Sequence, residues 1–159
     1  MTRAWIALGS NLDDPRQQVL RGMDAIAQLP HTQLLRRSHL YRTPPWGVLD
    51  QADFVNAAVG VETALAPAEL LAGLLAIEDR AGRVRSRVNG PRTLDLDLLQ
   101  VEGVTCAGAT LTLPHPRMAQ RAFVLLPLND IAPELPLSAT LSVAAQLARL
   151  DVSGCVRID

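Results

Sequence analysis

The chain has 159 residues, 48% of them hydrophobic and 19% charged, with a formal net charge of −1. Length and balance fit one domain spanning residues 1–159 with a sizeable core, and exclude a disordered chain. A near-neutral chain has no global basic field to draw nucleic acid, and no apolar run is long enough to span a bilayer.

Arg3 to Leu8 reads as a first strand, apolar and ended by Gly9-Ser10-Asn11, a turn signal that is weak by itself. A helix follows: Asp13 or Asp14 serves as cap and Pro15 suits the first turn. Val19, Leu20, Met23, Ile26 and Ala27 then recur at helical spacing up to Pro30. Gln33 to Tyr41 is a second strand, stopped by Pro44-Pro45. A turn-rich link, TPPWGVLDQAD, leads to a third strand over Phe54–Glu62. The second helix starts near Pro67 and carries Leu70, Leu71, Leu74, Leu75 and Ile77 to a stop at Gly82. Thr93 to Val101 is the fourth strand.

The order β-α-β-β-α-β predicts a ferredoxin-like α+β core: an antiparallel sheet with helices on one face. Beyond it lie a polar hairpin over 102–110, the segment LTLPHPRMAQRAFVLLPL, and a C-terminal helix near Leu141–Leu150, an elaborated C-terminal third.

Chemistry concentrates around the fourth strand. In GPRTLDLDLL the leucines alternate with Asp95 and Asp97, so both carboxylates share one strand face. A solvated outer face would screen them; alternatively, a divalent cation removes their repulsion. Mg²⁺ is commonly held by one or two carboxylates plus substrate phosphates. Directly upstream, GRVRSRVNGPR gathers Arg83, Arg85 and Arg87 between Gly82 and Gly90, with Arg92 just beyond. Most charge clusters are solvated loops, yet arginines beside paired carboxylates suit phosphoryl transfer, so the cation is the favoured reading. The chain contains no lysine, which rules out a Walker-type phosphate loop and leaves any phosphate to arginine.

The remaining candidates are weaker singly. Asn56 lies two residues after Phe54 on one strand face, pairing an amide donor and acceptor with an aromatic wall. His115, between prolines, suits contact with phosphate oxygens, with Arg117 and Arg121 nearby, whereas His31 and His39 read as structural. No histidine or cysteine pattern suggests zinc, and no G-x-S-x-G context supports a serine nucleophile. Cys106 and Cys155 are far apart and read as reduced thiols. The N-terminal MTRAWIALGSN lacks the apolar region of a signal peptide, so the expected location is cytoplasmic.

Taken together, ALGSNL, YRTPPWG, FVNAAV, GRVR, GPRTLDLDLL, LPHPRM and RAFVLLPL resemble one family, the 6-hydroxymethyl-7,8-dihydropterin pyrophosphokinases of folate biosynthesis. The resemblance implies a ferredoxin-like fold with an added C-terminal part. It also implies an enzyme that moves diphosphate from ATP to the pterin hydroxymethyl group and releases AMP. By the same resemblance, Asp95 and Asp97 hold two Mg²⁺ ions, with Asp97 also in the catalytic set beside Arg83 and Arg92. Leu71, Arg85, Arg92, Leu98, Thr112, His115 and Arg121 contact ATP, and Thr43, Pro44, Phe54, Asn56 and Phe123 hold the pterin. ATP and the pterin are the expected partners of a monomer, with neither nucleic acid nor membrane. Two other classes compete: a ferredoxin-like module binding Mg²⁺-nucleotide for regulation without turnover, and an RNA-binding domain. The joint presence of Arg83 and Arg92 beside two carboxylates argues against the first. The lack of overall basic charge and of an aromatic-rich strand argues against the second.

Overall fold

The computed structural model describes residues 1–45, 47, 49–82 and 93–159. Its elements are β1 (Thr2–Ser10), α1 (Pro15–Ala27), β2 (Thr32–Arg37), β3 (Tyr41–Thr43), β4 (Phe54–Thr63), α2 (Pro67–Arg80) and β5 (Asp95–Val101). The C-terminal third adds β6 (Cys106–Ala107), β7 (Thr112–Leu113), a 3₁₀ turn (Met118–Gln120), α3 (Ala122–Ile131), α4 (Val143–Leu147) and β8 (Val156–Arg157).

The main sheet runs β5-β1-β4-β3-β8, with β2 also on β4, and its described pairings are antiparallel. Strand alternation divides the core in two. Ile6 and Leu8 of β1, Val59 and Val61 of β4 and Leu96 and Leu98 of β5 face α1 and α2, where Met23, Ile26, Leu70, Leu74 and Ile77 meet them. Each such buried aliphatic contributes about 1.5–3 kcal/mol through the hydrophobic effect. On the other face, Ala7, Ala58 and Leu99 pack against Val124, Leu125, Leu128 and Val143 of α3 and α4. Helices therefore cover both faces, not one. Alternation sends Leu98 to one core and Leu99 to the other, and a register shift in β5, opposite Trp5 and Ile6, makes Leu99 an extra residue and returns Val101 to the first core.

The sequence signals at α1 act as expected. Pro15 opens it, and the Asp14 carboxylate accepts from the Gln17 amide, satisfying a free N-terminal donor. The expected strand over 33–41 is instead two, both on β4. Between them, Ser38 takes over the pairing: its amide donates to the Ala58 carbonyl and its hydroxyl accepts from the Ala58 amide. The polar hairpin is present as β6 paired with β7. The C-terminal helix is shorter than expected, α4 beginning where the Ser142 hydroxyl accepts from the Ala145 amide.

Two elements were not foreseen. Helix α3 contains Pro127, whose ring removes one backbone amide; burial of Val124, Leu125 and Leu128 offsets that loss. Strand β8 is two residues long, pairs with β3, and is held by the Leu40 amide donating to Asp159.

Candidate active site

The sheet register builds the site. Gly9 of β1 pairs with Asp95 on one side and Asn56 on the other, and Asn56 pairs with Tyr41. Ala7 likewise pairs with Asp97 and Ala58. Cross-strand partners point to the same face, so both aspartates, Asn56 and, two residues from it, Phe54 all project toward the side covered by α3. Thr43 pairs with Phe54 and joins them.

There they line one cavity of about 350 Å³ with Pro44, Leu71, His115, Arg121 and Phe123. Ten of the residues named from the sequence thus converge: Asp95, Asp97, Leu71, His115, Arg121, Thr43, Pro44, Phe54, Asn56 and Phe123. Leu98 and Thr112 are not among the lining residues. Leu98 is sealed in the core under α1 and α2, one residue out of phase with the aspartate face, and Thr112 lies in the small hairpin. Arg83, Arg85 and Arg92, with the rest of 83–92, lie outside the described residues.

Small residues leave the space. A Cβ on Gly9 would fall 2.7 Å from the Asn56 side-chain oxygen. The bare Gly9 backbone therefore lets the carboxamide lie flat across β1, while its NH₂ donates to the Thr43 hydroxyl at 2.7 Å. That bond fixes which end of the amide is which, leaving the Asn56 oxygen as the acceptor. The motif GSN does more than turn the chain. The Ser10 hydroxyl donates to the Thr93 carbonyl, tying the end of β1 to the entry of β5. The Asn11 amide donates at 2.9 Å to Gln51 Oε1 and to the Ala52 carbonyl, holding the chain that leads into β4.

Glu78 was missed by sequence reasoning. It sits on α2 one and two turns past Leu75 and Leu71, all three on the cavity wall, and only 2% of it is exposed. Its Oε2 accepts from the Leu96 amide at 2.7 Å, and Leu96 stands between the two aspartates. A buried carboxylate thus satisfies a backbone donor of the outermost strand and fixes the segment that presents Asp95 and Asp97. Its only sequence signal is an acidic residue in phase with the apolar stripe of α2.

The opposite wall is the start of α3. The Arg121 guanidinium lies 5.6 Å from the centre of the Phe123 ring, a cation–π contact that orders both side chains. His115 is locked by its backbone amide donating to the Leu99 carbonyl at 2.8 Å, and its Nδ1 accepts from the Arg117 amide. Burial lowers its pKa from the usual histidine value, the Arg121 and Arg117 charges lower it further, and Asp95 opposes them. The ring is neutral near pH 7, with Nδ1 occupied as acceptor, so Nε2–H is the donor free to serve the cavity.

Residues 5–133 match the family described as 7,8-dihydro-6-hydroxymethylpterin-pyrophosphokinase (HPPK). The chain belongs to this family. A protein of Methylorubrum extorquens is 45% identical over 159 residues, covering all of both chains. One of Pseudomonas aeruginosa is 44% identical over 156 residues, or 98% of this chain and 96% of that one. Both are named 2-amino-4-hydroxy-6-hydroxymethyldihydropteridine pyrophosphokinase. The fold is also that of the Plasmodium falciparum HPPK-DHPS crystallised with pteroate, at 14% identity and a TM-score of 0.73. That match covers 93% of this chain and 42% of the other. The ferredoxin-like core is thus the HPPK fold.

HPPK enzymes are ATP-dependent kinases, for which Mg²⁺ is expected, and the donor set here fits it. Asp95 and Asp97 offer oxygen ligands from one half-buried face on the cavity wall. Among the described residues no group of three or more histidine, cysteine, aspartate or glutamate side chains forms a metal cage. Two carboxylates without a cage suit a hard cation that keeps waters and takes its other ligands from phosphate.

Proposed function

We infer that this chain is the pyrophosphokinase of its family, transferring diphosphate from ATP to the hydroxymethyl group of 6-hydroxymethyl-7,8-dihydropterin in folate biosynthesis. The single observation that carries the reading at the level of chemistry is the convergence of Asp95 and Asp97 with Phe54, Asn56 and Phe123 on one cavity. A carboxylate pair for a metal-bound polyphosphate and an aromatic, amide-bearing slot for a flat heterocycle lie within reach of each other. A regulatory nucleotide module has no use for the second half.

The assignment of roles is our proposal. Residues 1–159 act as one pyrophosphokinase domain, a monomer in the cytoplasm. Asp95 and Asp97 hold two Mg²⁺ ions, which neutralise polyphosphate charge when bound. Phe54 and Phe123 enclose the pterin, Thr43 and Pro44 border its edge, and Asn56 accepts from its ring nitrogens. His115 donates from Nε2 to phosphate oxygen, and Arg121, held over Phe123, supplies fixed positive charge on the same side. Leu71 offers an apolar surface for the nucleobase, and Leu98 and Thr112 support the nucleotide side from behind the wall. Arg83, Arg85 and Arg92 reach the phosphates from their own segment. The hydroxymethyl oxygen attacks the β-phosphorus, the bond to the α,β-bridging oxygen breaks, AMP leaves, and the hydroxyl proton goes to solvent. Positioning and charge neutralisation do most of the catalytic work in such transfers.

The test is a nucleotide product assay with Mg²⁺, ATP and the pterin, resolving AMP from ADP. AMP formed only with pterin present supports the reading. ADP identifies an ordinary kinase, and ATP binding without turnover favours the regulatory module.

A further inference from the structure

A second cavity, of about 320 Å³, lies at the far end of the same sheet face, where α3 ends. Its floor is one cross-strand row: Trp5 pairs with Gly60, and Gly60 pairs with Arg36. Partners in a row share a face, so an indole and a guanidinium flank a position with no side chain. A register shift in β2, between Leu34 and Arg36, falls opposite Gly60 and Val61, but neither backbone angle nor space bars a side chain at Gly60. Its φ is not positive, and an added Cβ would meet only the Trp5 indole, at 3.7 Å, an ordinary contact. A β-branched residue would serve mid-strand better, and glycine in a strand interior often marks a close approach by a ligand.

Arg3, two residues before Trp5 and on the same face, also lines the cavity. Among the described residues neither the Arg3 nor the Arg36 side chain has an ion-pair or hydrogen-bond partner. Two carboxylates share this end of the sheet face, Glu134 at the far wall and Glu62 as the cross-strand partner of Arg3. Only Glu134 lines the cavity, whose lining carries one net positive charge. Ile131 and Leu135 close the side. The volume is at the lower end of small-molecule pockets, which run from about 300 Å³.

We propose that this slot binds a small planar aromatic anion, stacked on Trp5 over Gly60 with its acidic group held by Arg36 and Arg3. The two halves of the site demand both properties together: a free phosphate leaves the indole unused, and a neutral arene leaves two guanidiniums unused.

The chain has two tryptophans, Trp5 and Trp46, so indole N–H resonances of the full-length protein report the site directly, with Trp46→Phe assigning them. The probe is 2-naphthoate, and 2-naphthalenemethanol is its uncharged counterpart. The expected result is a saturable shift of the Trp5 signal by the acid, with the alcohol at least about tenfold weaker. Gly60→Val, which fills the slot with a strand-favouring side chain, and Arg36→Gln should each weaken the acid about tenfold while AMP formation is unchanged. A Trp5 signal that does not move, equal affinity for acid and alcohol, or full affinity in folded Gly60→Val would overturn the proposal.

Discussion

Replacing Gly9 by alanine tests how the sheet register makes the pterin slot. The new methyl would lie 2.7 Å from Asn56 Oδ1, 3.7 Å from its Cγ and 4.0 Å from Phe54 Cδ1. A comfortable carbon–oxygen contact needs near 3.3 Å, so the oxygen must retreat by about 0.6 Å. Its backbone is fixed by pairing with Gly9 itself, and its other end is committed to Thr43 at 2.7 Å, so the carboxamide has to rotate against that bond. Losing or bending one such bond costs about 0.5–1.5 kcal/mol, and misaiming the acceptor adds a comparable loss toward the ligand. The first loss lowers the stability of free and bound protein alike, and the second, toward the ligand, is a roughly 2- to 13-fold rise in Kd for the pterin. Calorimetry with pterin alone, and with a non-hydrolysable ATP analogue alone, should show the loss for the first ligand only. In an Asn56→Ala background the same substitution should have little further effect, because the clash has lost its partner. Unchanged pterin affinity in Gly9→Ala, or an equal loss with and without Asn56, would refute the argument.

Three more outcomes follow from the same geometry. Asp97→Asn should abolish AMP formation, since the face loses one of its two charged oxygen ligands; retained turnover would contradict the metal role. Glu78→Ala should lower stability by about 1–3 kcal/mol by orphaning the Leu96 amide, and Glu78→Gln, which keeps an acceptor, should recover part of it in denaturant titrations. Because the folded state holds the His115 pKa below the usual histidine value, the unfolded chain binds its proton first as pH falls. Stability should therefore drop as pH falls below about 6.5, the unperturbed histidine value, until the native ring also protonates. His115→Gln should flatten that part of the profile, and an unaltered profile would show that the ring is not held neutral.

Much of the fold was legible because its signals are local. Period-two leucines placed β5, Pro15 and Asp14 placed α1, and the apolar stripe of α2 placed its buried face. The elements that escaped depend on tertiary contact. Pro127 disguises α3, which persists because its apolar side is buried against Ala58 and Leu99. Strand β8 is too short to show a period and exists only by pairing with β3. For the site, Asp95 could be paired with Asp97, and Phe54 with Asn56, from spacing alone, but the row Asp95–Gly9–Asn56 that joins the two pairs is a property of register, which no single strand reveals. Glu78 was hidden for a related reason: an acidic residue on a helix normally faces water, and only the packed strand edge explains its burial.

The central claim is diphosphoryl transfer at the Asp95/Asp97 face. A single-turnover experiment with ATP labelled at the β-phosphorus, the pterin and Mg²⁺ tests it most directly, run in parallel on the parent chain and Asp97→Asn. The account predicts that label passes from ATP to the pterin ester in the parent, with unlabelled AMP released, and that none passes in the variant. Label retained in ADP, or equal transfer by Asp97→Asn, would contradict it.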